Sequence, residues 1–349
     1  MAFVGDIMLG RRVGAAMARS GDFAAPLRPT ARRLASADIT VGNLESTLAR
    51  LGPPTHGDDS FAADPKVRSG LRLAGFDVLS LANNHAGDFG IRSLVATERL
   101  VRAGGIQPVG AGVNLAAAWR PAVVEREGIR FGFLAFNAVG ETPRASAEGP
   151  GAASVSMRPV TGPLDARDLA WATGAVRALR RTVDVVIVLP HWGQEYTHAP
   201  VADQRTVGRA LVDAGASVVV GGHAHWVQRV DMHRGRPIVH SLGNFVFDMD
   251  WEPEVREGAV LELRFRGSTL QQARFVPYVI GSDFAPRFVT GERAASILEE
   301  LAPPATPPYS RRPGRRAGQR QAARVDQTRR PVRASWPVLI TSGRSRGLW

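Results

Sequence analysis

Residues 183–196 read VDVVIVLPHWGQEY, a β-branched run that ends at once in proline, histidine and glutamate. A short run with no polar alternation is the pattern of a strand buried on both faces, as in parallel sheets covered by helices. The change of character at His191 places a metal-competent side chain just past the carboxyl end of that strand. Five other segments repeat the pattern: VGDIMLGR at 4–11, VGNLEST at 41–47, LANNHAGD at 81–88, GGHAHW at 221–226 and SLGNF at 241–245.

Working outward, buried strands are expected at 2–4, 39–41, 78–81, 131–136, 217–220 and 237–241. Amphipathic helices are expected at 91–103, 168–181 and 202–214, each after a polar or proline-containing start. Segments 260–265 and 272–280 alternate in the manner of antiparallel strands. The sum is an α/β or α+β layered domain, with no repeat at solenoid or propeller periods.

Composition bounds the chemistry. With 349 residues the chain can bury a substantial core, and one catalytic unit at 1–300 with a tail at 301–349 is the simplest division. The chain contains no cysteine, which excludes disulfides, thiolate nucleophiles and cysteine-ligated zinc. Any transition metal must be held by His, Asp, Glu or Asn. No apolar stretch reaches the roughly 18 residues of a membrane span, and no signal-peptide pattern precedes Phe3. The chain as given is therefore expected to be soluble and cytoplasmic, or membrane-associated or extracellular if an upstream anchor is missing.

The net charge of +12 is unevenly placed. Residues 303–349 hold eleven Arg against one acid, Asp326, so the rest of the chain is almost neutral. This Arg, Pro and Gly-rich tail lacks the apolar material for a core and is expected to be disordered. An Arg tail can bind nucleic acid or another polyanion. Since 43 of the 44 basic residues of the whole chain are Arg, the composition points to a general bias, and a nucleic-acid partner is not expected.

In layered α/β folds ligands gather outside the carboxyl ends of the strands. Asp6, Glu45, Asn84, His85, His191, His223 and His225 all fall within a few residues of such an end. Taken singly, each has an ordinary reading as a turn, cap or loop residue. Their recurrence at equivalent positions makes one shared metal site the leading expectation. His223-Ala224-His225 is the most specific local feature, because Gly221 and Gly222 let the backbone approach a ligand without a Cβ. Arg11, Asn43, Glu195 and Asn244 lie at the same strand ends. An Arg can clamp an anion, while Asn244 is as well suited to bracing its loop. His56, His198, His233 and His240 have no matching context.

In this order the segments resemble the bacterial capsule-synthesis CapA family, the poly-γ-glutamate synthesis proteins related to the calcineurin-like metallophosphoesterases. The residues that carry the resemblance are Gly5 to Arg11, Gly42-Asn43-Leu44-Glu45, Ala82-Asn83-Asn84-His85, His191 to Tyr196, Gly222 to His225 and Ser241 to Asp248, within roughly residues 1 to 280. The resemblance implies a four-layer αββα sandwich and a centre for one or two divalent ions, Mn, Fe or Zn. It implies Asp6 and His225 on a first ion, Glu45 as the bridging carboxylate, and Asn84, His191 and His223 on a second. His85 then stands where the phosphoesterases keep a histidine that steadies the transition state or protonates the leaving oxygen, with Arg11 orienting an anionic substrate. Asn43, Glu195 and Asn244 are expected around that substrate.

Two positions depart from the phosphoesterase pattern: Met8 stands where a first-ion His is found, and Glu45 where an Asp is found. Three functions follow for comparison. One is a metal-dependent phosphoester hydrolase. Another is a capsule or poly-γ-glutamate assembly protein, working with capsule-synthesis machinery on an anionic chain. The third is a polyanion or nucleic-acid binder acting through the Arg-rich tail. The order of the motifs supports the first two.

Overall fold

The computed structural model describes residues 1–302. In the first half lie β1 (Ala2–Ile7), α1 (Arg11–Ser20), α2 (Arg28–Leu34), β2 (Thr40–Leu44), α3 (Arg68–Leu73), β3 (Phe76–Ser80), α4 (Ile91–Ala103), β4 (Gln107–Val109), β5 (Ala111–Gly112), α5 (Leu115–Ala118), β6 (Ala122–Arg126), β7 (Ile129–Asn137) and β8 (Gly151–Ala152). The second half adds α6 (Ala166–Arg180), β9 (Val185–His191), α7 (Ala202–Ala214), β10 (Val218–Val220), β11 (Val227–His233), β12 (Arg236–Leu242), β13 (Asn244–Val246), β14 (Glu257–Arg266), β15 (Thr269–Ile280), β16 (Pro286–Phe288) and α8 (Gly291–Leu301).

The strands form two large sheets. One runs β16-β15-β14-β1-β2-β3-β4, with β13 also paired to β1; the other runs β11-β12-β10-β9-β7-β6. Their centres are parallel, β1 to β4 in the first and β7, β9, β10 and β12 in the second. Antiparallel strands close the flanks, β14 beside β1, β6 beside β7 and β11 beside β12.

Side-chain alternation stacks these sheets into four layers. In β9, Val185, Ile187 and Leu189 join Phe3, Val41 and Val78 of the other sheet in a core between the two sheets. Val186 and Val188 point the opposite way and pack with Val176 of α6 and Val207 and Leu211 of α7. On the far side, Val4, Leu44 and Leu79 pack with Val13 of α1, Leu34 of α2, Leu71 of α3 and Leu94 of α4. The result is helices, sheet, sheet, helices, the αββα sandwich. A strand buried on both faces needs two apolar faces, which is why 183–189 shows no alternation. Each such aliphatic side chain contributes about 1.5–3 kcal/mol on burial.

The expected helices at 91–103 and 202–214 coincide with α4 and α7, and β14 and β15 pair antiparallel. α1 was not anticipated, since it buries only Val13 and Met17 and so carries a thin apolar stripe. Leu301 ends α8 and is buried in the core. The expected disordered tail at 303–349 lies outside the described residues. No helix among the described residues is long and apolar enough to cross a membrane.

Candidate metal centre

Parallel register brings the polar residues of both sheets to one level. Asp6 of β1 pairs with Asn43 of β2 and with Asn244 of β13, and Asn43 pairs with Ser80 of β3. Across the sandwich, His191 ends β9 and forms a bridge with Gly222, just beyond β10. His191 keeps the parity of Val185, Ile187 and Leu189, so it emerges on the face turned toward the other sheet. Asn43 and Glu45 likewise continue the parity of Val41.

Asp6 reaches the same space by a different route. Ala2 and Val4 face the helices and Phe3 faces the partner sheet, so uninterrupted alternation would send Asp6 toward the helices. A register irregularity between Phe3 and Asp6 resets the face. Gly5 permits it, because a Cβ there would stand 1.8 Å from the Gly243 carbonyl oxygen. Asp6 then accepts hydrogen bonds from the Asn43 amide at 2.8 Å and from the His223 backbone N–H at 3.0 Å.

Asp6, Glu45 and His191 bring one donor atom each within 4.8 Å of one another, and all three are buried. Asn43 ties them together: its amide nitrogen lies 2.8 Å from Asp6 Oδ1, 3.2 Å from Glu45 Oε2 and 3.2 Å from His191 Nδ1. Two amide hydrogens thus face three acceptors. Asn43 Oδ1 accepts from Asn83, which fixes the orientation of the amide. On the next loop, Asn84 Oδ1 lies 2.8 Å from His191 Nε2, while its amide donates to Glu141. Glu45 Oε1 is buried with no hydrogen-bond partner, 3.8 Å from His191 Nε2.

The histidines of the second sheet complete the cluster. The His191 and His223 rings are 5.0 Å apart, and the His223 and His225 rings 6.0 Å. His223 and His225 hold positive φ values of 90° and 58°, a strained backbone that L residues adopt rarely outside functional sites. His223 Nδ1 is buried without a partner. Gly222 is obligatory beside them, since a Cβ would stand 2.5 Å from Asp6 Oδ1.

Electrostatics divide the cluster by residue type. Burial pushes the Asp6 carboxyl up to about 6, against hydrogen bonds from Asn43 and His223 that favour its charge. Glu45 is driven well above the usual carboxylate range, by burial first and by the Asp6 charge second. Burial holds His191 and His223 well below the usual imidazole range and lowers His225 to about 4. A divalent cation would satisfy both groups, since carboxylates, an amide oxygen and neutral imidazoles are its donors. The buried, partnerless Glu45 Oε1 and His223 Nδ1 fit that requirement.

The remaining expected residues surround these donors. His85 Nδ1–H donates to Asp88 Oδ2 at 2.8 Å, and the ring stacks on Phe61, with ring centroids 3.7 Å apart. The Arg11 guanidinium lies 4.5 Å from the Phe61 ring centre. Its terminal nitrogens pair with Asp248 and Asp59. Asn43, expected beside substrate, places its amide nitrogen against the Asp6, Glu45 and His191 donor atoms. Asn244 is fully buried behind His225, accepting from His225 Nδ1 at 2.8 Å and donating to the Val255 carbonyl. Glu195 stands at the opening, 3.8 Å from His225 Nε2.

Met8 adds nothing to the cluster. It is buried in the helix-side core, and its sulfur accepts the Gly10 N–H. Four contributing residues were not singled out from the sequence: Asn83, Asp88, Glu141 and Phe61. Asp88 sits three residues after His85 within LANNHAGD, the spacing of one helical turn, and that was its only signal. Phe61 and Glu141 come from irregular segments with no local signature.

The profile of the family described as Bacterial capsule synthesis protein PGA_cap matches residues 1–249. The Capsule biosynthesis protein CapA of Bacillus anthracis is 32% identical over 296 residues, covering 83% of this chain and 69% of that one. The PGA biosynthesis protein CapA of Bacillus subtilis is 30% identical over 276 residues, covering 76% and 67%. Among solved structures, a putative 5'-nucleotidase from Staphylococcus aureus superposes with a TM-score of 0.46 at 12% identity, over 86% of this chain and 57% of that one. With the matched segment spanning every donor from Asp6 to Asn244, the chain belongs to the bacterial capsule synthesis protein PGA_cap family.

Proposed function

We propose that Asp6, Glu45, Asn84, His191, His223 and His225 hold one or two divalent ions, Mn, Fe or Zn. In this reading the centre is a hydrolase that acts on an anionic substrate, poly-γ-glutamate or a phosphoester, during capsule synthesis. The observation that carries the reading is the pair of buried donor atoms without partners, Glu45 Oε1 and His223 Nδ1, within one cluster of acids and neutral imidazoles. Leaving such atoms unpaired costs about 1–3 kcal/mol each, a penalty that a cation removes. The names of the two Bacillus relatives supply the capsule and polyglutamate context.

A bound divalent ion supplies Lewis-acid polarisation of the substrate's phosphoryl or carbonyl oxygen. The protein's own residues do the rest. Asn43 keeps Asp6, Glu45 and His191 at one spacing, and Asn244 fixes the His225 ring. Asp88 holds His85 through Nδ1, leaving Nε2 as the nitrogen that can carry a proton to or from a reacting group. Stacking on Phe61, backed by Arg11, prevents that ring from turning away.

The test is hydrolysis of a generic phosphodiester and of poly-γ-glutamate by the purified protein with added Mn²⁺. Turnover of at least one substrate should depend on metal and fall roughly 10²–10⁴-fold in His85→Ala, the usual worth of a proton-transfer group. Turnover without metal dependence, or unchanged by the substitution, contradicts the reading.

A further inference from the structure

The loop after β9 carries Glu195 to a defined place. Gly193 turns it at a φ of 100°, where a Cβ would stand 2.6 Å from the Gln204 side chain. The Tyr196 backbone N–H then donates to the Ala224 carbonyl at 3.0 Å, tying this loop to the residue between His223 and His225. The Tyr196 ring lies nearly parallel to the His225 ring, with centroids 5.9 Å apart. These ties hold Glu195 beside His225, with its own side chain about one-third exposed at the opening.

Hydrogen bonding decides what the two residues present to each other. The Asn244 amide nitrogen donates to the Val255 carbonyl at 2.9 Å, so its oxygen is the atom 2.8 Å from His225 Nδ1. An oxygen there requires Nδ1 to be the protonated nitrogen, which leaves a lone pair on Nε2. Glu195 Oε1 faces that lone pair at 3.8 Å. The gap is too long for a hydrogen bond, and no proton lies between two acceptors. It does suit two donors of one cation: bonds of about 2.0–2.2 Å place neighbouring donors roughly 3–4 Å apart.

Resting on the metal-centre reading above, we propose that Glu195 is itself a metal ligand, sharing with His225 the ion nearest the opening. A carboxylate beside an imidazole is a donor pair that suits Mn²⁺, Fe²⁺ or Zn²⁺. The deeper position, with Asn84, His191 and His223, is richer in nitrogen.

The test is Mn²⁺ titration calorimetry and elemental analysis on the full-length wild type, Glu195→Ala and Glu195→Gln, with thermal melts in EDTA beside them. All three should melt together in EDTA, since the side chain reaches solvent. On Mn²⁺ addition the variants should lose about ten- to hundred-fold in affinity, at least the range seen when a supporting residue of a metal site is removed. They should also hold fewer ions per chain and gain less melting temperature. Wild-type affinity and stoichiometry in either variant overturns the proposal while the metal centre stands. A wild type that binds no Mn²⁺, Fe²⁺ or Zn²⁺ overturns the metal centre itself. Should Ala alter the EDTA melt, Gln, which keeps the side-chain shape, decides alone.

Discussion

The two sheets bring opposite chemistry to one place. The first supplies Asp6, Asn43, Glu45 and Asn84, acids and amides drawn together by a single Asn43 nitrogen. The second supplies His191, His223 and His225, imidazoles that burial keeps neutral. The acid half, taken alone, holds more carboxylate than its donors can satisfy. The histidine half, taken alone, holds lone pairs with no proton donors. Each half is an unfavourable thing to bury, and a cation between them resolves both, which is why the interface of the sandwich is polar at this end and apolar at mid-depth.

The largest predicted effect comes from setting the halves against each other with pH in metal-free protein. Asp6 is raised from 3.8 to about 6, so its contribution is complete below pH 4 and is lost as pH rises toward 6. His225 is lowered from 6.5 to about 4, so its contribution is complete above pH 6.5 and is lost as pH falls toward 4. Each shift is of order 3 kcal/mol, with opposite slopes that largely cancel in wild type. In Asp6→Asn one acid slope is removed, while those of buried Glu45 and of the histidines remain. Denaturant unfolding in EDTA should therefore show stability rising between pH 4 and 6.5 more steeply in the variant than in wild type; parallel profiles would remove the division between the halves.

Breaking the acid half chemically gives a somewhat smaller effect of a distinctive form. Glu45→Gln removes a buried carboxylate without changing its shape, so metal-free stability should hold or rise. Mn²⁺ at about a hundred times its Kd stabilises a single-site protein by about 2.7 kcal/mol, and the variant should lose most of that gain. Melts with and without Mn²⁺ measure both terms. A variant less stable in EDTA yet still stabilised by Mn²⁺ would show that Glu45 serves packing alone.

Met8 belongs to neither half, and its replacement should do least. Met8→Leu conserves volume in the helix-side core and should cost under about 1.5 kcal/mol with metal content unchanged. Loss of metal in that variant would place the thioether in the cluster after all.

Much of this was legible because burial on both faces leaves a direct trace in composition. The β9 run from Val185 predicts a covered strand, and the step to His191 predicts where its end faces. Glu45 and His191 could be placed by parity alone. Asp6 could not, since only the irregularity after Phe3 turns it inward, and that depends on Gly5 meeting Gly243 across two strands. The ion pairs of Arg11 left no local trace, because its partners, Asp59 and Asp248, lie 48 and 237 residues away. Asn43 and Asn244 could be assigned to the right region, yet an amide's role depends on which neighbour takes its oxygen, and that is a tertiary fact. Phe61 and Glu141 come from segments where no periodicity marks a side chain's direction.

Elemental analysis of purified wild type beside His223→Ala and Asn84→Ala tests the central claim most directly, because it removes one donor from each half. Wild type should carry one or two divalent ions per chain, and each variant should carry clearly less. Equal, near-zero metal in all three proteins would contradict a metal centre between the sheets.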